Sequence, residues 1–517
     1  MDRRAFIHKA SLGAVATVLP RVSAAESSVV SRGEDGKLIY AVDALGNRIP
    51  DFSICGYRGG GARIPDVPAV TIVEPGDDDA TASIQLAIDR VALLPLSDSG
   101  FRGAVLIRAG TYKVSGVLRI AQSGIVLRGE GAGEEGTVIV GTGTRQRNLI
   151  EVRGRTAGRT VGIGAIIIDE YVPVGARSFR VSSVDRLEPG KHILVRRVGN
   201  AAWISEIGMD RITPLPSDPA STQQWTPFNL DFDRIITAVD GNLVTVDAPI
   251  MCAIEQRWGG GQALLLEDVD RVQNVGIENM RGDSEFDRSR TATESGQRYF
   301  SDEAHAWSLI SIDLATNSWV RNVTGVHFGY ACVDIERGKW VTVQDCECLD
   351  MVSQITGSRR YCFDLNGQQC LIQRCYADTG RHDYVVGSRV PGPNAFVSCS
   401  SGRMYATSEP HHRWSVGGLY DNVKSNIAVQ DRQNYGTGHG WSGANYVIWN
   451  CEGTLVCQKP PTAQNWAIGH VGRKVRGAFE PREDGHWESH GEHVEPESLY
   501  IQQLRERLGE EAVENIR

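Results

Sequence analysis

Val320-Arg321-Asn322-Val323, Val343-Gln344-Asp345-Cys346, Ile372-Gln373-Arg374-Cys375, Phe396-Val397-Ser398-Cys399, Tyr420-Asp421-Asn422-Val423 and Ile448-Trp449-Asn450-Cys451 repeat one short pattern. An apolar residue is followed by any residue, a polar residue, then cysteine or valine. The copies follow one another at nearly constant spacing, from Val323 at the end of the first to Cys451 at the end of the last. A weaker copy, Val272-Gln273-Asn274-Val275, lies upstream at twice that spacing. A period of this kind means stacked units, none of which buries its apolar face alone. Each unit has room for about three strands and their turns, whereas helical repeats need about 33 residues or more. The pattern predicts an all-β parallel β-helix.

The repeat also assigns the cysteines. The chain has 11, and Cys346, Cys375, Cys399 and Cys451 hold one position in successive coils. They are expected to form a buried, reduced ladder at about 4.8 Å per coil. Cys346-Glu347-Cys348 has no second pair at zinc spacing.

The formal net charge of −9 over 517 residues points away from a nucleic-acid binder. No apolar run reaches the length of a membrane span. Asp2-Arg3-Arg4-Ala5-Phe6-Ile7-His8-Lys9 resembles a twin-arginine export signal. A moderately apolar stretch and the small residues Ser23-Ala24-Ala25 follow it, so 1–25 is expected to direct the protein to the periplasm or outside the cell.

Residues 26–75 read as an N-terminal arm. In 76–173 a helix with apolar residues at 84, 87, 88 and 91 follows Asp77-Asp78-Asp79, which suit a helix cap better than a calcium site. Short strands come next. The period breaks over 174–255, where Asp240-Gly241-Asn242 signals a hairpin; this stretch is expected to be a β module projecting from the helix. Coils resume over 256–470, with a polar loop at 281–305. A charged tail, 471–517, carries a terminal helix from Pro496 to Ile516.

Asp79-Ala80-Thr81 with Ile84-Gln85 and Ala87-Ile88, then Ala109-Gly110-Thr111-Tyr112 and Gly124-Ile125-Val126-Leu127-Arg128-Gly129, resemble the start of the pectate-lyase-like superfamily. That resemblance implies a single-chain right-handed parallel β-helix with an N-terminal capping helix, and no particular reaction. Gly438-His439-Gly440 resembles the histidine motif of polygalacturonases, whose other motifs have no counterpart here. Arg389-Val390-Pro391 resembles the Arg-x-Pro of pectate lyases, but Asn394 replaces the arginine three residues beyond the proline.

Each late coil is followed by a polar, aromatic loop. These hold Arg381, His382 and Asp383; Glu409, His411, His412, Arg413 and Trp414; Tyr435, His439 and Trp441; and Gln464, Asn465 and Trp466. Their similar phase places them along one groove, on the order of 15 Å long over four coils. Tryptophans offer faces to sugar rings, and His, Arg and carboxylates offer acid–base groups. Residues 355–414 hold seven Arg, no Lys and four acidic groups, which suits recognition of sugar carboxylates.

Three functions follow as expectations. The first is a polysaccharide lyase acting on a uronate-containing glycan. Arg413 or Arg381 would bind the carboxylate, His412 or His382 would be the base, and Tyr435 or His439 the acid. The second is a glycoside hydrolase using Asp383 and Glu409. The third is a non-catalytic glycan-binding scaffold. No cofactor is called for; calcium would need a ligand set that the sequence does not offer. The partner would be an acidic polysaccharide or oligosaccharide, and the chain a monomer or a homotrimer through the flat solenoid sides.

Overall fold

The computed structural model describes residues 25–76 and 78–517. The stretch read as an export signal, except for Ala25, and Asp77 lie outside the described residues. Among the described residues no helix is long and apolar enough to cross a membrane.

The chain is a right-handed parallel β-helix. The first residue of every copy of the repeat pairs with the next: Val320 with Val343, then Ile372, Phe396, Tyr420 and Ile448. Upstream, Val320 pairs with Ile277 and not with Val272. The adjoining copy is therefore Ile277-Glu278-Asn279-Met280, one coil away. A hairpin of Thr291–Glu294 and Gln297–Phe300 lengthens that coil and hides its period. It occupies part of the expected 281–305 loop, whereas coil strand Gly276–Ser284 runs into the start of that stretch.

The polar third position has a conformational cause. Asn279, Asn322, Asp345, Arg374, Ser398, Asn422 and Asn450 all have φ between 49° and 57°. One left-handed residue turns the chain from one sheet of the coil into the next, and Asn and Asp tolerate that geometry best after Gly. The residue after the turn points inward. Cys346, Cys375, Cys399 and Cys451 are all buried, and all eleven cysteines are free. The four ladder cysteines lie in one apolar core that runs from Val73 to Ala467.

The helix Thr81–Ala92 packs Ile84, Ala87, Ile88 and Val91 onto the first coils. Its N-cap is Ala80, with no side-chain cap. Asp79, one residue earlier, instead accepts from the Thr81 amide at 3.0 Å and from Ser115. Those hydrogen bonds hold its carboxyl well below the usual range.

The inserted module is wider than the expected 174–255. The chain leaves the coils after Arg153, which pairs with Asp313, and returns at Val272, which pairs with Ala315. Between them a six-stranded sheet runs from Arg159–Ile166 to Gly261–Glu267. The module does not hang free. Buried Asp233 meets Lys339 Nζ at 2.9 Å and Arg271 at 2.8 Å, and buried Arg234 donates to the carbonyls of Ala248, Pro249 and Gly392. Module and coils also share a second apolar core.

The coils continue past 470: Trp466–Ile468 pairs in parallel with His486–Glu488. The tail ends in two helices, Leu499–Leu508 and Glu510–Glu514, in place of one. They clasp the N-terminal arm: Tyr500 donates to the Cys55 carbonyl, and Arg507 to the carbonyls of Ser53 and Gly59. Arm, helices and module together cover the flank made by Leu371, Ala395, Leu419 and Val447.

Candidate active site

Strand register decides what meets in a cleft of about 880 Å3 between one face of the coils and the module. On that face Asp334 pairs with Asp364, and Glu336 with Asn366. Leu365 pairs with Val386, and Val386 with Pro410. Outward positions on successive coils therefore run Glu336, Asn366, Gly387, His411. Gly387 leaves the floor open in the middle; a Cβ there would stand 2.0 Å from Asn366 Oδ1.

One end of the cleft is acidic. Asp364 is buried beneath Tyr330, whose hydroxyl donates to it. Burial pushes its carboxyl up to about 7, and the charge of Glu336 adds to the rise. Burial raises Asp334 to about 6; it accepts from Ser311 at 2.8 Å, and its other oxygen has no protein partner. Desolvation and Asp334 raise Glu336 to about 7 as well, while Asn366 donates to it at 2.8 Å. Yet Glu336 stands exposed, where water screens such effects. Both carboxyls therefore titrate near neutrality, Asp364 beneath Tyr330 and Glu336 open to the cleft. Neighbouring carboxyls, one buried and one exposed, are the arrangement from which a paired acid and base is built.

The other end carries histidines. His411 Nε2 lies 3.0 Å from the Tyr361 hydroxyl. Arg432, which can only donate, lies 2.8 Å from His411 Nδ1 and 2.6 Å from Glu409. Glu409 Oε1 stands 2.9 Å from the same His411 Nδ1, so carboxylate, guanidinium and imidazole form one buried cluster behind the Tyr361 hydroxyl. Burial holds His382, His411, His412 and His439 below the usual histidine range, with His412 at about 4, so all four are neutral at neutral pH. His412 Nδ1 and His439 Nδ1 have no protein partner.

His382, Glu409 and His411 bring three ligand atoms within 4.8 Å. The Arg432 guanidinium already stands among them, and His382 Nδ1 turns to the Thr407 carbonyl at 2.6 Å. The donor set suits this arginine better than a metal ion.

Of the residues expected at the groove, His411, His412 and His439 line the cleft. Glu409 and His382 are buried behind His411. Asp383 points inward, where it accepts from Cys362 at 3.3 Å and burial raises it to about 6. It cannot pair with Glu409 across a substrate, which removes that hydrolytic pair. Arg381 reaches the Tyr361 hydroxyl at 3.4 Å. Arg413 bonds Gln223 and Thr437 of the cleft's end. Tyr435 lies outside against Phe479. Trp414 and Trp441 are buried against the module, not offered to sugars: Trp414 meets Trp203 edge-on at 5.0 Å. Asn465 is a buried rung, accepting from the Tyr446 amide and donating to the carbonyls of Gly443 and Gln458. Gln464 and Trp466 line a separate cavity of about 540 Å3 beside the N-terminal arm.

Asp334, Glu336, Asp364, Tyr330 and Tyr361 are not among the residues expected from the sequence. Their signal was present: Val333-Asp334-Ile335-Glu336 and Phe363-Asp364-Leu365-Asn366 alternate inward and outward at matching places on adjoining coils. They precede the repeat markers, whereas the polar loops that drew attention follow them.

No family model matches the chain, and no curated protein matches it. Solved structures that resemble it include the tailspike of Pseudomonas phage phi297, at 14% identity over 80% of this chain and 61% of that one, TM-score 0.41. Another is the tailspike of Acinetobacter baumannii bacteriophage AP22 in complex with A. baumannii capsular saccharide, at 10% identity over 80% and 66%, TM-score 0.45. The polygalacturonase from Erwinia carotovora ssp. carotovora matches at 12% identity over 84% and 98%, TM-score 0.35. The chain spans 61% and 66% of the length of these two tailspikes. Likeness at this level says nothing about activity.

Proposed function

We propose that the protein is a carbohydrate-active enzyme that binds a polysaccharide along the cleft and hydrolyses a glycosidic bond. The observation that carries this reading is the carboxyl group of Asp364, pushed up to about 7 by burial and set beside an exposed Glu336 on the adjoining coil. Asp364 gives its proton to the leaving glycosidic oxygen as the bond to the anomeric carbon breaks. Glu336, in its ionised form, either takes a proton from the water that attacks the anomeric carbon or attacks that carbon itself, forming a glycosyl ester that water then hydrolyses. Tyr330 orients Asp364, and Tyr361 offers its hydroxyl to the sugar.

A second reading, elimination from a uronate, is favoured by Arg389. Its guanidinium lies 4.2 Å over Phe228, Nε has no protein partner, and no carboxylate pairs with it among the described residues. It would bind the uronate carboxylate near neutral His412, the base of that reaction.

A screen of acidic and neutral polysaccharides, read by reducing ends and by ultraviolet absorbance of unsaturated sugars, separates the two. Hydrolysis gives new reducing ends without absorbance. Asp364→Asn should then cost about 100-fold or more, the scale for a positioned acid, and His412→Ala under about 10-fold. The reverse order of losses, with absorbance, would establish elimination.

A further inference from the structure

The cleft is not alike at its two ends. Past the carboxyls toward the early coils it stays open. A cavity of about 270 Å3 continues it there, sharing Glu336 and Arg337 and reaching Asp313, Glu151 and Arg153. Toward the late coils its lining stops at Gly436, Thr437 and His439. The module is fastened across that end. Trp225 Nε1 donates to the Gly438 carbonyl at 3.0 Å, the Gln223 amide to the Thr437 carbonyl at 3.2 Å, and Asn434 to the Thr213 carbonyl at 2.9 Å.

The seam is tight enough to require glycine. A Cβ on Gly438 (φ 82°) would lie 2.5 Å from the Gln223 carbonyl oxygen, and one on Gly440 (φ 56°) 2.3 Å from Met209 Sδ. Gly438-His439-Gly440 thus closes the cleft as well as presenting a histidine to it.

From Asp364 to this wall the floor crosses coils at Gly387, His411 and His439. At about 4.8 Å per coil that is on the order of 14 Å, room for about two or three sugar residues. We propose that the enzyme is exo-acting: a chain end enters until it meets the wall at Thr437–His439, and cleavage at Asp364 and Glu336 releases a short product of fixed length. The remaining polymer runs out over Glu336, Asp313 and Glu151. This rests on the reading of the cleft as a glycan site.

The test is binding to the Asp364→Asn protein, so that turnover is not needed. The probes are hexamers of galacturonate, mannuronate, glucuronate, glucose and N-acetylglucosamine, each unlabelled, labelled with a bulky fluorophore at the reducing end, or labelled at the non-reducing end. A label at one terminus only should weaken binding 10-fold or more, and the same label at the other should leave it unchanged. Equal binding of both labelled forms would overturn the blind end and leave the glycan reading standing. No binding of any hexamer would overturn both. In the active protein a hexamer that is cleaved should give one product length from the first time points, and a spread of lengths would refute the proposal. Gly438→Ala, which pushes the wall away, should lengthen that product.

Discussion

Asp364 sits beneath Tyr330 with its carboxyl pushed up to about 7 by burial. That shift makes it an acid at neutral pH, and it also has a stability consequence. In the unfolded chain the group ionises near its ordinary value of 3.8. Its contribution to stability is therefore complete below that pH and is lost as the pH rises through about 7. Asp364→Asn removes this loss. Thermal unfolding of the variant should match wild type at pH 4 and exceed it at pH 8, by up to a few kcal/mol less the Tyr330 hydrogen bond. The same titration should make hydrolysis fall as the pH climbs past 7. An Asp364→Asn protein no more stable than wild type at pH 8 would mean that the carboxyl ionises freely, and the acid would have to be sought elsewhere.

The turns between sheets are the element on which the solenoid depends. Asn322, at φ 50°, carries its side chain to Asn279 of the preceding coil, 3.0 Å away. An ordinary L-residue in this region costs about 1–2 kcal/mol, and glycine costs little there. Asn322→Ala should thus lower unfolding free energy by about 1 kcal/mol, while Asn322→Gly should be close to neutral. Denaturant unfolding of the two variants checks the order. If alanine and glycine behaved alike, the left-handed turn would not be what the polar position supplies.

At the scale of the molecule, the module is a wall of the cleft only because it is locked to the coils. Lys339 lies on a coil, Asp233 on the module, and Arg271 where the chain returns between them. Removing one partner of a buried ion pair strands the other charge, which usually costs about 3–5 kcal/mol. Arg271 would remain beside Asp233, so Lys339→Met should cost about 2 kcal/mol or more. It should also raise proteolysis at the 156–158 and 268–270 junctions. An unchanged melting temperature and digestion pattern would show that the shared apolar core alone holds the module. The clasp of arm and terminal helices has a further consequence. With the module it covers the Leu371–Val447 flank, so that side of the solenoid is closed to a trimer contact.

The coil stack is legible in the chain alone. Its signals are local and periodic: an apolar residue in register, a polar residue able to turn left-handed, and a small residue pointing inward, once in every coil. Because each copy obeys the same constraint, the pattern survives without knowledge of its neighbours, except where the Thr291–Phe300 hairpin stretched one coil. The site, by contrast, is made by contacts between distant segments. Trp414 and Trp441 have the composition of a sugar platform, yet the module packs over them. Asp383 has the chemistry of an acid but lies on the inward side of its strand. Asp334, Glu336 and Asp364 gain their character from burial and from one another across coils. Proton affinity, exposure and the closed end of the cleft all arise where distant segments meet, and no local pattern encodes them.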